Sequence, residues 1–128
     1  MNRSERERVA AAIALAERGT TGRIAVRILH DPTVNAFERA KREFERGKLH
    51  RHQHGNAALI LVAPKAKTFA VIGDTALHER VGDAFWQKIV DEMREKLAKG
   101  ATADAIVQAV DRIGEALRTH FSASEGVS

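Results

Sequence analysis

Asn56 to Asp74 reads NAALILVAPKAKTFAVIGD, and this stretch decides the fold. Ala57 to Ala63 is an unbroken apolar run. Pro64-Lys65-Ala66-Lys67 supplies a polar turn, and Thr68 to Ile72 is a second β-rich run that ends in Gly73-Asp74. Two short apolar runs joined by a short turn are expected to pair as antiparallel neighbours. The first run has no polar alternation, so it belongs at the centre of a sheet with cover on both faces.

Working upstream, Arg23 to Leu29 alternates as a strand, with Ile24, Val26 and Ile28 on one side. Before it, Ser4 and Glu7 read as a capping box, Val9, Ala12, Ile13 and Ala16 form a helical stripe, and Gly19 ends the helix. After it, Asp31-Pro32 reads as an N-cap followed by proline at the first helical position. Val34, Phe37, Lys41 and Phe44 continue at helical spacing to Gly47. Lys48 to Gly55, KLHRHQHG, has neither period and reads as a loop.

Downstream, Thr75 is expected to cap a short turn through Leu77 and His78. A longer helix follows on Val81, Phe85, Ile89, Met93 and Leu97 and closes at Gly100. A last one, capped by Thr102, carries Ile106, Val110, Ile113, Leu117 and Phe121. Trp86 reads as an anchor of the long helix on the sheet, and Gly82 and Gly114 as close approaches of backbone. The expected fold is α/β: a Rossmann-like three-layer α/β/α sandwich whose small mixed sheet contains a strand–helix–strand unit and a central hairpin. Residues 1–121 form one domain, and 122–128, with little core-forming content, read as a flexible tail.

The chain has 128 residues, enough for a core without staples, and no cysteine, which excludes disulfides, thiolate nucleophiles and Cys-ligated metal. Nothing approaches the roughly 18–20 apolar residues of a membrane span, and MNRSERERV is too charged for a signal peptide, so a cytoplasmic protein is expected. Residues 1–54 carry 12 Lys+Arg against 7 Asp+Glu, and residues 55–128 carry 9 against 10. The basic half is interleaved with glutamate, as on a solvated helix face. With one Trp and no Tyr to stack bases, no nucleic-acid partner is expected.

If the strand–helix–strand crossover makes Arg23–Leu29 and Ala57–Ala63 parallel, their starts share one sheet edge, and the hairpin returns Gly73-Asp74 to it. Thr21, Arg23, Asn56 and Asp74 then become neighbours, with His52, His54 and His78 in reach. Asp74 could bind a metal or position water for phosphoryl transfer, or serve only as a cap. Asn56 offers donors and an acceptor, or satisfies a loop-to-strand turn. Arg23 could clamp a phosphate with a hydroxyl from Thr20 or Thr21, or simply face solvent. Two histidines with Asp74 or His78 could complete a tetrahedral zinc site, although surface histidines without metal are the commoner outcome. No serine sits in a nucleophile elbow.

Five stretches in order carry a family likeness: Thr20-Thr21-Gly22-Arg23-Ile24, His54-Gly55-Asn56-Ala57, Ile72-Gly73-Asp74, Gly82-Asp83-Ala84-Phe85-Trp86, and Ile113 through Phe121. They resemble the TPM domain family, and most closely its short soluble bacterial members, with the motifs T-x-G-E-I, R-N-G, I-G-D, G-x-x-F-W and I-G-x-x-L-x-x-H-F. Arg23 stands where the family pattern has Glu, and Gly55 where it has Arg. The resemblance implies a small soluble binding or regulatory module whose ligand or partner edge lies near Asp74, taking a protein or a small anion. The alternative it implies is a weak metal-assisted acid phosphatase. There Asp74 would hold a divalent cation (calcium, magnesium or zinc), Asn56 would position water or the ion, and Arg23 would neutralise phosphate.

Overall fold

In the computed structural model, which describes residues 1–47, 49 and 54–123, seven elements follow one another. They are α1 (Arg3–Glu17), β1 (Arg23–Ile28), α2 (Ala36–Arg46), β2 (Ala57–Ala63), β3 (Thr68–Gly73), α3 (Thr75–Ala98) and α4 (Thr102–His120). The sheet order is β1-β2-β3, with β1 parallel to β2 and β2 antiparallel to β3. The apolar run of β2 is buried throughout, because each face meets a different helical layer. Ala57, Leu59 and Leu61 join Ala36, Ala40 and Phe44 of α2 on one side. Ala58, Ile60 and Val62 join residues of α1, α3 and α4 on the other. Each fully buried Leu, Ile or Val contributes roughly 1.5–3 kcal/mol by leaving water. The arrangement is the expected α/β/α sandwich.

Several local details differ from the sequence reading. The capping box of α1 is Asn2 with Glu5, since Asn2 Oδ1 accepts from the Glu5 amide at 2.8 Å and Glu5 Oε1 accepts from the Asn2 amide at 3.0 Å. Ser4 lies inside the first turn, and Glu7 pairs with Arg3 instead. Asp31 does not cap α2. Its carboxylate accepts from the Thr33 amide at 2.8 Å and the Thr33 hydroxyl at 2.7 Å, a local turn that competes with helix. Asn35 is the N-cap, accepting from the Glu38 amide at 3.0 Å. That shifts the buried seam to Ala36, Ala40 and Phe44, four apart, and leaves Phe37 57% exposed with the Lys41 ammonium 5.1 Å from its ring centre. Thr102 is the first residue of α4 rather than its cap; Ala101 holds the cap position without a side-chain hydrogen bond.

Two glycines explain the packing of the last helices. Gly114 lets α4 lie on α1, because a Cβ there would sit 2.7 Å from the Ala16 Cβ. Gly82 was expected to mark a close approach, but a Cβ there would meet nothing within 4 Å. Its role is conformational: with φ 77° and ψ 171° it breaks α3 after one short segment and redirects the longer one. Ser122, read as the start of the tail, forms a bridge with Thr20, and the Ala123 amide donates to the Gly19 carbonyl at 2.9 Å. Residues 124–128 lie outside the described residues. Among the described residues no helix is long and apolar enough to cross a membrane.

Candidate functional site

Parallel pairing sets Arg23 opposite Ala57, and antiparallel pairing sets Ala58 opposite Gly73. The Asp74 amide donates to the Ala57 carbonyl at 2.9 Å, so the ladder carries Asp74 to the edge where β1 and β2 begin. Thr21, Asn56 and Asp74 are thereby brought to one sheet edge from three distant parts of the sequence, Asn56 in contact with Thr21 and Asp74 bonded through its backbone to Ala57. Asn56 is the one polar residue buried outright among the described residues, at 0% exposure. Its Nδ2 donates to Thr21 Oγ1 at 2.9 Å, which fixes the amide's orientation. The backbone of Thr21 is tied in turn, its amide donating to the Phe121 carbonyl at 2.9 Å. The end of α4 thus holds the β1 side of the edge in place.

Asp74 is the N-cap of α3. Its Oδ1 accepts from the Thr75 amide at 2.8 Å, and its backbone carbonyl accepts from the His78 amide at 2.8 Å. Its second oxygen, Oδ2, is buried and has no hydrogen-bond partner among the described residues, and the same holds for Asn56 Oδ1. A buried acceptor left unpaired costs about 1–3 kcal/mol. Two such acceptors at one sheet edge are chemically alike: each calls for a donor or a cation.

Trp86 stands beside them. Gly73 has no side chain because the indole occupies that space, and a Cβ would fall 2.2 Å from Trp86 Cζ2. Phe85 braces the indole edge-on, with ring centres 5.0 Å apart. The expected anchoring of α3 on the sheet is thus through β3's last residue. Sequence reasoning missed that the Trp86 Nε1 donor is also buried without a partner among the described residues.

The remaining expected site residues are placed differently. Thr20 uses its hydroxyl locally, donating to the Glu17 carbonyl at 2.9 Å and accepting from the Gly22 amide at 3.1 Å. Arg23 is exposed at the start of β1 and makes no ion pair among the described residues. His78 Nε2 lies 3.2 Å from Asp83 Oδ1, an exposed pair that straddles the Gly82 break. His54 is exposed, and His50 and His52 lie outside the described residues. Among the described residues no group of three or more His, Cys, Asp or Glu could hold a metal ion. Glu17 was missed: its Oε2 accepts from the Ile24 amide at 2.6 Å and closes the outer side of β1's first residues. A carboxylate in the last turn of a helix opposes the helix dipole, and that was the signal available.

A family model described as the TPM domain matches residues 1–116. The chain belongs to the TPM domain family. Among solved structures it is similar to the BA42 protein of the psychrophilic bacterium Bizionia argentinensis, determined by NMR. The identity is 27% and the TM-score 0.87, over 98% of this chain and 87% of that one. The N-terminal domain of the cg2496 protein from Corynebacterium glutamicum shares the fold at 16% identity and a TM-score of 0.73, over 97% of this chain and 78% of that one. No curated protein matches. The two departures from the TPM motifs both fall on the edge. Gly55 has φ 61°, and a Cβ there would sit 3.1 Å from Ala76 Cβ, so a larger residue would be strained on this backbone. Where the motif has Glu, Arg23 points a cation to solvent, while Glu17 supplies the carboxylate that bonds the neighbouring amide.

Proposed function

We propose that this TPM domain is a small binding module whose ligand or partner edge is built by Thr21, Asn56 and Asp74. The observation that carries this reading is the pair of buried, unpartnered acceptors, Asn56 Oδ1 and Asp74 Oδ2, at one sheet edge. Both positions are held by other bonds of the same residues, Asn56 through Thr21 and Asp74 through the first turn of α3. Preorganised acceptors of this kind suit a hard divalent cation, which takes oxygen ligands, or a donor group of a partner. Calcium and magnesium take oxygen ligands of this kind, whereas zinc prefers nitrogen and sulfur. A cation held there would supply Lewis-acid polarisation to a bound anion. Asp74 and Asn56 would be its ligands, and Arg23 is the cation at the start of the neighbouring strand.

Binding is favoured over phosphomonoester hydrolysis because Asp74 already commits one oxygen to the α3 cap, and Glu17 commits one to Ile24. Neither carboxylate is left whole to activate water. The test is an amide-resolved NMR titration with calcium, magnesium and zinc in turn, alone and with inorganic phosphate. Calcium or magnesium is expected to shift the amides of Asn56, Ala57, Asp74 and Thr75, and Asp74→Asn to abolish the shifts. If those amides stay unmoved by every ion, the edge is a structural cap and the reading fails.

A further inference from the structure

At the opposite end of the sheet, the turn between β2 and β3 faces the connection between α3 and α4 across a cleft of about 660 Å³. That volume is in the range of small-molecule sites. Its lining has two cations, Lys67 and Arg94, the hydroxyls of Thr68 and Thr102, and an apolar wall that includes Phe69 and Leu97. No carboxylate is among its lining residues. None of Thr21, Asn56 and Asp74 lines this cleft.

We propose that this cleft binds a small organic anion with a flat apolar body, its anionic head between Lys67 and Arg94 and its body against Phe69 and Leu97. The charges are available. Lys67 makes no ion pair among the described residues, and Arg94 reaches Asp91 only through an exposed contact of 3.4 Å. Exposed pairs of this kind contribute little, so an arriving anion displaces little. The geometry is also prepared. The Arg94 guanidinium carbon lies 6.0 Å from the centre of the Phe69 ring, which holds the planar fork over an aromatic face. The positive end of the 19-residue helix α4, which begins at Thr102, adds to the same field.

The experiment is an amide-resolved NMR titration of the whole chain with naphthoate, its neutral isostere naphthamide, and inorganic phosphate. Naphthoate is expected to shift amides of residues 67–69 and 94–102. Naphthamide and phosphate should each bind about tenfold more weakly or worse, since each lacks one half of the recognition. The variant K67Q/R94Q changes two exposed side chains and should weaken naphthoate by about tenfold or more, with amides at the Asn56–Asp74 edge unchanged as proof of folding. Equal binding of naphthoate and naphthamide would overturn the proposal, because charge would then play no part. Equal binding of phosphate would remove the apolar wall from it. Undiminished naphthoate binding by K67Q/R94Q, or shifts confined to another surface, would place the ligand elsewhere.

Discussion

Replacing Asp74 by serine should make the unliganded protein more stable, even though it deletes a helix-capping carboxylate. Serine keeps one side-chain oxygen near the Thr75 amide, the cap bond that Oδ1 makes at 2.8 Å, and removes the buried, unpartnered Oδ2. Losing the charge at the start of α3 costs about 0.3–1 kcal/mol of dipole interaction. Removing an unpaired buried acceptor returns about 1–3 kcal/mol. The net expectation is a gain of roughly 0.5–2 kcal/mol, or about 2–8 °C in Tm for a chain of this length. Asp74→Ala removes the cap as well and should fall below the serine variant by about 1 kcal/mol. Asp74→Asn retains a second buried polar atom and should gain little. Thermal unfolding followed by circular dichroism reads all three, first without added ions and then with calcium. Under the binding reading, calcium at about a hundred times its Kd should stabilise the native chain by about 2.7 kcal/mol and the serine variant by none. A serine variant less stable than the native chain by 1 kcal/mol or so, with or without calcium, would refute the reasoning, because Oδ2 would then be contributing to the fold.

Three further outcomes follow from the packing and the charges. Gly73→Ala places a methyl 2.2 Å from Trp86 Cζ2, so the indole must move; a loss of about 1–3 kcal/mol with red-shifted emission from this single tryptophan is expected, and an unchanged spectrum would contradict the contact. Gly82→Ala meets open space but keeps φ 77° and ψ 171°, so urea unfolding should show a loss of about 1–3 kcal/mol from backbone strain alone, and a neutral result would mean the break in α3 is not required. Arg112 hydrogen-bonds Glu92 through Nη2–Oε2 at 2.7 Å and holds its carboxyl below the ordinary value of 4.5. The folded state then binds that proton less readily than the unfolded chain, so the contribution is full above about pH 4.5 and fades as pH falls through the lowered value. The stability gap between the native chain and Glu92→Gln should therefore be widest near neutrality and close in acid; a gap independent of pH would remove the ion pair from the account.

How much of this was legible in the sequence follows from the kind of interaction involved. The apolar run Ala57–Ala63 fixed the centre of the sheet because burial on both faces leaves no polar alternation to misread. That the starts of β1 and β2 and the end of β3 share one edge was legible one level up, since it needs only the parallel pairing of β1 with β2 and the return of the hairpin. Helix starts were less legible. Asp31, Asn35, Ser4 and Asn2 are all acceptable caps, and which one acts depends on where the buried seam must fall: α2 begins at Ala36 because Ala36 and Ala40 let the helix approach the sheet closely. Phe37 was misplaced for the same reason, as a one-position shift of the seam turns a core residue to the surface. Least legible were bonds whose partners lie far apart or on backbone, such as Glu17 to the Ile24 amide and Thr21 to the Phe121 carbonyl. These same bonds separate scaffold from site. Thr20, Glu17 and Oδ1 of Asp74 are consumed in holding the edge together, whereas Asn56 Oδ1 and Asp74 Oδ2 contribute nothing to that task and are buried at a cost. That both are buried at one sheet edge without a partner among the described residues is the physical ground for reading the edge as a place where something else binds.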